Sequence, residues 1–272
     1  MIGAIIGDMI GSPYEFSNIK TKTFPLLSPH SIWTDDSLMT IAMAQAIWQA
    51  KHTGALLQAQ AAQEMRRMAA SYPHPTGGYG ARFSQWLRDP GAGPYGSFGN
   101  GAAMRVSPCA EAAASLKETL ELARQSAATT HDHPEGVKGA QAVAAAIYLA
   151  RAGKDKEDIR AYVRKRFYPL QETVAQLRPT YVFDETCQGT VPQALTAFLE
   201  SESFEDAART AVSLGGDCDT LTSIACAVAW PYYAQRKPEP AMNALAQQAL
   251  ARLPASLAQA VRRWEKQYGN LN

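Results

Sequence analysis

The sequence predicts an all-α protein, arranged as a single compact orthogonal multi-helix domain over residues 1–272 with long functional loops. Three observations support this fold class. Long segments rich in strong helix formers repeat their apolar residues at intervals of three and four, which is the spacing of one helix face. Runs of alternating β-branched residues are nearly absent, and the best strand candidate is the brief segment 180–183. No low-complexity linker divides the chain.

Helix-start signals accompany the periodic segments. Ser203 is a predicted N-cap before an acidic first turn, and Pro134 follows His133 at the start of another helix. In the N-terminal segment MIGAIIGDMIG, the glycines at 3, 7 and 11 share one helix face, which predicts the close approach of a second backbone. The clearest helical segments are 37–50, 55–71, 135–152, 156–167 and 204–212.

Composition excludes several classes of protein. The net charge of +1 gives no broad electrostatic case for binding nucleic acid or an anionic membrane. Four widely spaced cysteines form no CxxC pair, so neither a zinc ribbon nor a disulfide framework is expected. The apolar N-terminal segment contains Asp8 and lacks a basic region, which argues against a signal peptide or a membrane span. We therefore expect a cytoplasmic protein, and we expect it to be a monomer.

Two segments, WTDDS and GGDCDT, place acids at the predicted start of an apolar helix. Capping and the helix dipole explain the first segment alone, but they do not require two acids and a threonine in the second. Four carboxylates brought together would repel one another unless cations neutralised them. Oxygen donors indicate Mg²⁺, with Mn²⁺ or Ca²⁺ as substitutes, and two ions would balance the charge. The sequence does not show that the two helix starts meet. The candidate ligands are Thr34, Asp35, Asp36, Asp217, Asp219 and Thr220.

Three loop segments offer further candidates. Glycines at 96, 99 and 101 before a predicted helix are typical either of a plain loop or of a backbone cradle for anions, with Phe98 placed to stack on a base and Asn100 to bind a sugar or phosphate. His131 and His133 lack a third metal ligand and fit a helix cap or a pocket wall. Glu15 is either a solvated loop residue or an acid–base group on a mobile loop.

Together these motifs, in the order GDMIGSPYE, WTDDS, GSFGNGAAMR, THDHPEG and GGDCDT, resemble the ADP-ribosylglycohydrolase family over essentially the whole chain. The resemblance implies an all-α domain in which both helix starts bind two Mg²⁺ ions, with Mn²⁺ as a substitute. It implies catalytic roles for Glu15 and Asp36, and an adenosine end shaped by Phe183 or Asp184. The substrate-binding residues that it implies are Gly96, Ser97, Phe98, Gly99, Asn100, Gly101, Met104 and His131.

The implied activity is hydrolysis of the bond between C1″ of the terminal ribose and an acceptor, with ADP-ribosyl-arginine on a protein as the favoured substrate. O-linked substrates (ADP-ribosyl-serine or O-acetyl-ADP-ribose) and ADP-ribosylated nucleic acid remain alternatives. From other functional classes, the same acids are compatible with a Mg²⁺-dependent phosphoesterase or nucleotide pyrophosphatase. A non-catalytic ADP-ribose-binding protein is a further alternative, which the complete set of acids disfavours.

Overall fold

The structure, a computed structural model, describes residues 1–236 and 240–269, so the predicted domain span of 1–272 extends beyond it. The described residues are helical with no β-sheet, which confirms the predicted fold class. Two isolated β-bridges, Thr34 with Thr76 and Gly99 with Thr186, are the only extended pairings among them, and segment 180–183 is a loop. The α-helices are α1 Ile2–Gly11, α2 Asp35–Thr53, α3 Leu57–Ser71, α4 Ala81–Arg88, α5 Gly101–Met104, α6 Ser107–Ala112, α7 Leu116–Ala128, α8 Pro134–Arg151, α9 Lys156–Arg166, α10 Val174–Leu177, α11 Cys187–Leu199, α12 Phe204–Val212, α13 Cys218–Arg236, α14 Pro240–Arg252 and α15 Ala255–Tyr268.

The predicted helix starts are confirmed by their capping hydrogen bonds. Ser203 accepts a hydrogen bond from the backbone N–H of Asp206 at 3.0 Å, and Thr34 accepts one from Asp36 at 3.1 Å. The ring Nδ1 of His133 accepts from the N–H of Glu135 at 3.1 Å, with Pro134 in the first helical turn. Each cap satisfies a backbone donor that the helix itself leaves unpaired.

Helix α13 is the central element of the core. It packs against α1, α8, α11 and α12, and every residue from Cys218 to Pro231 is buried. None of the helices in the described ranges is long and apolar enough to cross a membrane. The apolar run behind GGDCDT is therefore the buried centre of this helical protein.

The N-terminal glycines confirm the predicted close approach of a second backbone, and that backbone belongs to α13. A Cβ built on Gly3 would lie 2.5 Å from the carbonyl oxygen of Cys226. One built on Gly7 would lie 2.8 Å from Cα of Ser223, and one on Gly11 would lie 2.6 Å from Cα of Asp219. Since these neighbours are backbone atoms, they have no side-chain rotamer with which to move away. The last of the three glycines thus contacts a residue of the acidic motif.

We predict that Gly7→Ala lowers the free energy of unfolding by about 1–3 kcal/mol or more, because the added methyl group forces α1 away from α13. Urea unfolding followed by circular dichroism measures the change. Gly93→Ala is the matched control, since a Cβ there meets no atom within 4 Å, and it should change stability by less than about 0.5 kcal/mol. Equal stability of the two variants would contradict the packing account.

Candidate metal centre

The start of α2 is held in place by Asp8, a fully buried carboxylate of α1. Its oxygens accept hydrogen bonds from the backbone N–H groups of Thr34 at 3.0 Å and Ser37 at 3.1 Å. They also accept from both side-chain hydroxyls, that of Thr34 at 2.8 Å and that of Ser37. Burial raises the pKa of Asp8 to about 6, although these hydrogen bonds oppose the shift. Asp8 therefore fixes the helix end that carries Asp35 and Asp36.

Sequence reasoning missed this role of Asp8. From the sequence, the charge of Asp8 was used only as an argument against a membrane span. A signal was present, however, because Asp8 is the one charged residue in the apolar helix IGAIIGDMIG. A carboxylate is almost never fully buried unless polar groups pair with it, so its position indicates a buried polar partner.

The second acidic motif begins with two glycines in the left-handed region, Gly215 at φ +74° and Gly216 at φ +76°. They turn the chain sharply into α13, so that Asp217 and Asp219 both lie at its entrance, at 6% and 4% exposure. The Asp217 carboxylate accepts a hydrogen bond from the side-chain amide of Asn100 at 2.7 Å. The Cys218 thiol points away from the acids and contacts the carbonyl of Val212 at 3.8 Å.

The two helix starts meet directly. The hydroxyl of Thr220, on α13, donates a hydrogen bond to the carboxylate of Asp36, on α2, at 3.1 Å. Glu15, Asp217 and Asp219 each place one carboxylate oxygen within 4.8 Å of the others. A Cβ on Gly77 would lie 3.2 Å from Oε2 of Glu15 and 3.9 Å from Oδ1 of Asp35, so Asp35 also lies beside this group. We call Glu15, Asp35, Asp36, Asp217 and Asp219 the acidic cluster.

Burial and mutual repulsion raise the pKa values of Glu15, Asp35, Asp36 and Asp219. Burial, followed by the charges of Asp217 and Asp8, raises the pKa of Glu15 to about 7. The pKa values of Asp35, Asp36 and Asp219 lie well above the ordinary value, chiefly because of burial and then because of neighbouring acids. A divalent cation would relieve this repulsion, and the cluster offers only oxygen donors, which suit Mg²⁺ and Mn²⁺. The residues present therefore fit a hard metal ion.

The two threonines among the sequence-predicted ligands have hydroxyls that already form hydrogen bonds within the protein. The Thr34 hydroxyl donates to Asp8 and accepts from Asp36, and the Thr220 hydroxyl donates to Asp36. Each threonine oxygen keeps a lone pair, so a metal contact remains compatible with these bonds. The Thr220 hydroxyl orients the carboxylate of Asp36, and the Thr34 hydroxyl holds its backbone N–H.

The loop that carries Glu15 is fastened to the second acidic motif by Asn18, which sequence reasoning also missed. The Asn18 amide donates to the carbonyl of Gly216 at 2.9 Å and accepts from its N–H at 2.7 Å. It also donates to the carbonyls of Tyr14 at 2.7 Å and Glu15 at 3.0 Å. The Lys20 ammonium donates to the carbonyls of Leu214 and Tyr181. These hydrogen bonds thus hold the loop that carries Glu15 against the second acidic motif.

The glycine-rich loop 96–101 adjoins the acidic cluster through Asn100, whose amide bridges Asp217 and Thr190. Several of its backbone amides are already engaged, since Gly96 donates to Asp132, Gly99 to the Ser97 hydroxyl and Asn100 to the Glu185 carbonyl. The N–H groups of residues 97, 98 and 101 have no protein acceptor in the described part of the chain. Fewer backbone N–H groups are therefore free to bind an anion here than the three glycines alone suggest.

The remaining predicted substrate residues surround this loop. Phe98 is 41% exposed and lies beside His133, with ring centroids 5.2 Å apart. Met104 and His131 are buried on the inner side of the loop, where Cβ positions on Gly101 would contact both side chains. Phe183 is half exposed, whereas Asp184 accepts a hydrogen bond from the N–H of Thr186 at 2.8 Å and so supports the start of α11.

Similarity to known proteins extends over nearly the whole chain. Residues 1–267 match the sequence model of the family described as ADP-ribosylglycohydrolase. The chain is 28% identical to the ADP-ribosylhydrolase ARH3 of Homo sapiens, over 86% of this chain and 84% of that protein. It is 27% identical to the ADP-ribosylarginine hydrolase Tri1 of Pseudomonas putida (strain GB-1), over 86% of this chain and 69% of that protein. A solved structure titled ADP-ribosylglycohydrolase-related protein complex superposes with a TM-score of 0.68 at 25% identity, covering 97% of this chain and 96% of the other.

We predict that Asn18→Ala releases the loop that carries Glu15 without unfolding the protein. The substitution removes the hydrogen bonds to Gly216 and to the loop's own carbonyls, and the side chain itself is exposed and packs little apolar surface. Amide hydrogen exchange should become faster in residues 12–33, while the urea midpoint changes little. Unchanged exchange in that segment would show that Asn18 does not hold the loop. Ser17→Ala, at a neighbouring exposed position, is the control.

The raised pKa of Glu15 also predicts how stability depends on pH. Between its unfolded value of 4.5 and its folded value of about 7, the folded protein retains a proton that the unfolded chain has lost. In chelator, stability therefore falls as pH rises through this window. Mg²⁺ should raise the melting temperature more at pH 8 than at pH 5, because the ionised acids bind it. Thermal denaturation at both pH values checks this, and an equal effect of Mg²⁺ at both would contradict it.

Proposed function

Because the chain belongs to the ADP-ribosylglycohydrolase family, we propose that it is a divalent-cation-dependent hydrolase that removes ADP-ribose from modified arginine side chains of proteins. The observation that carries this proposal is the acidic cluster, which joins the two motif-bearing helix starts through the bond from Thr220 to Asp36. Buried acids in mutual contact are costly for a binding module to maintain, whereas a hydrolase that uses cations requires them.

The acidic cluster, with Thr34 and Thr220, would hold two Mg²⁺ ions, and Mn²⁺ would substitute. Such ions supply Lewis-acid chemistry and fixed coordination positions for oxygen atoms. The protein contributes the rigid frame: Asp8 fixes the α2 end, and the glycine face of α1 fixes the α13 end. Orienting a substrate in advance in this way lowers the entropic part of the barrier.

Glu15 and Asp36 are the proposed catalytic residues. Glu15 lies on a loop at the edge of the acidic cluster and is only partly buried, so it is suited to accept a proton from the attacking water. The water oxygen forms a bond to C1″ as the bond from C1″ to the guanidine nitrogen breaks, and that nitrogen takes up a proton. Asp36 is buried and held by Thr220, which suits it to orient the water and the ribose.

The loop 96–101, with Met104 and His131, is the proposed site for the ADP-ribose moiety. Asn100 connects this loop to Asp217, so a diphosphate bound along the loop would bring the ribose next to the acidic cluster. The exposed ring of Phe98 offers a stacking surface for the adenine. The N–H groups of residues 97, 98 and 101 are available to diphosphate oxygens.

Charge balance favours arginine as the acceptor. The five carboxylates of the acidic cluster, when ionised, carry one more negative charge than two divalent cations neutralise. The excess attracts a cationic leaving group such as a guanidinium more than a neutral serine or acetyl group. The name of the Pseudomonas putida relative, an ADP-ribosylarginine hydrolase, agrees with this choice.

A panel of defined substrates tests the proposal: ADP-ribosyl-arginine and ADP-ribosyl-serine peptides, O-acetyl-ADP-ribose and ADP-ribosylated nucleic acid, each with Mg²⁺ or with chelator. We expect release of intact ADP-ribose from the arginine peptide, only with Mg²⁺. Preferred cleavage of an O-linked substrate would overturn the acceptor assignment. Release of AMP would instead indicate a pyrophosphatase, and binding of ADP-ribose without turnover would indicate a non-catalytic binding protein.

Substitutions in the acidic cluster test the residues. Asp35→Ala and Asp219→Ala should abolish turnover and lower the metal content while helicity is retained. Glu15→Gln should reduce kcat by about a hundred- to ten-thousandfold, the range of a lost general base, with little change in stability. Asp158→Ala is the control, because that acid is 55% exposed and Lys154 is its only ionic partner among the described residues. Near-normal activity of Asp219→Ala would remove it from the metal site.

A further inference from the structure

His131 presents a free ring nitrogen to the glycine-rich loop. The side chain is 5% exposed, and its Nε2 has no hydrogen-bond partner among the described residues. A Cβ built on Gly99 or on Gly101 would lie 3.4 Å from this atom, so the two glycines leave space beside it. Because Nε2 faces this space and has no partner among the described residues, a ligand or water can pair with it.

The other ring nitrogen belongs to a buried hydrogen-bond chain. Nδ1 lies 2.6 Å from the hydroxyl oxygen of Thr130. The same oxygen accepts a hydrogen bond from the guanidinium of Arg105 at 2.8 Å, and Arg105 also donates to the carbonyl of Ser126 at 3.1 Å. Thr130 is fully buried, and Arg105 is 1% exposed. Among the described residues, the buried Arg105 forms no ion pair with an acid. It is linked to His131 through the Thr130 hydroxyl alone.

Counting protons along this chain fixes the form of the imidazole. Arginine only donates, so the Thr130 oxygen accepts from it. Within the described residues, the Thr130 hydroxyl proton has one acceptor in reach, which is Nδ1 of His131. If Nδ1 carried a proton instead, the hydroxyl proton would be buried without an acceptor, which is unfavourable. Nδ1 is therefore an acceptor, and the proton of the neutral ring resides on Nε2.

The charges around His131 also favour the neutral form of the ring. Burial, followed by the nearby cations Arg105 and Arg82, holds the pKa of His131 well below its ordinary value. A protonated ring would add a second positive charge beside the buried guanidinium of Arg105. The ring thus stays neutral, and its single N–H faces the loop.

We propose that Arg105 and Thr130 are positioning residues that lock His131 in the neutral Nε2–H form, so that it donates a hydrogen bond to an oxygen of the nucleotide held by loop 96–101. This inference rests on the proposed function for the identity of the ligand. The hydrogen-bond chain itself belongs to the free protein. A ligand oxygen that accepts a hydrogen bond is recognised here, whereas a group that only donates is rejected.

The form of His131 is read directly from long-range ¹H–¹⁵N spectra of the free, ¹⁵N-labelled protein at neutral pH, assigned by comparison with His131→Gln. We expect a protonated Nε2 and an unprotonated Nδ1. A charged ring, or a proton on Nδ1, would overturn the proposal. Because this measurement needs neither substrate nor metal, its outcome is independent of the proposed function.

The coupling to ligand is tested with free ADP-ribose by calorimetry. Thr130→Val removes the hydroxyl at nearly constant volume and should weaken binding about two- to tenfold, the effect of one hydrogen bond, and change the His131 spectrum. Thr130→Ser keeps the hydroxyl and should restore both. Thr129→Val is the matched control, because within the described chain that buried hydroxyl bonds only to the Gln125 carbonyl. Equal weakening by the two valine variants, or no rescue by serine, would overturn the proposal. If no variant and no wild-type protein bound ADP-ribose, the proposed function would fail while the spectrum still decided the hydrogen-bond chain.

Discussion

Repulsion among buried carboxylates is the constraint on which the rest of this structure depends. Five acids lie at the meeting point of α2, α13 and the loop after α1, and burial raises the pKa of most of them. In a protein that bound no cation there, this group of acids would only lower the free energy of unfolding. Divalent cations reverse the balance, since they turn the repulsion into coordination bonds. The same feature that makes the metal-free site unfavourable therefore gives it affinity for hard cations.

The surrounding architecture holds these acids at fixed separations. The glycine face of α1 brings that helix against the backbone of α13, and the Asp8 carboxylate on the same short helix caps α2. One helix of ten residues thus sets the relative position of both acidic helix starts. Asn18 also fixes the position of the loop that carries Glu15, because its side chain pairs with the backbone of Gly216, next to Asp217. Helix packing, helix capping and the hydrogen bonds of the loop therefore all position the carboxylates of the acidic cluster.

Much of this arrangement was predictable from the sequence, and the missing part has physical reasons. Helical periodicity and caps predicted the fold, and the spacing of Gly3, Gly7 and Gly11 predicted a backbone contact without identifying α13 as the partner. The acids of both motifs were recognisable by type, but their meeting depends on tertiary packing, which only the family resemblance implied. Asp8, Asn18 and Thr130 were missed because their roles lie in side-chain hydrogen bonds to residues distant in sequence or hidden in the core. The sequence could not show which amides of loop 96–101 are free for the same reason, since Asp132 and Glu185 occupy two of them.

The central claim is that two helix starts distant in sequence form one cation site. Binding of Mn²⁺, followed by the electron paramagnetic resonance of the free ion, tests it most directly, because it requires no substrate. We expect two ions per chain in the wild-type protein, and clear weakening in both Asp35→Asn, which alters the α2 start, and Asp217→Asn, which alters the α13 start. Wild-type binding in either variant would show that the two helix starts do not share a site.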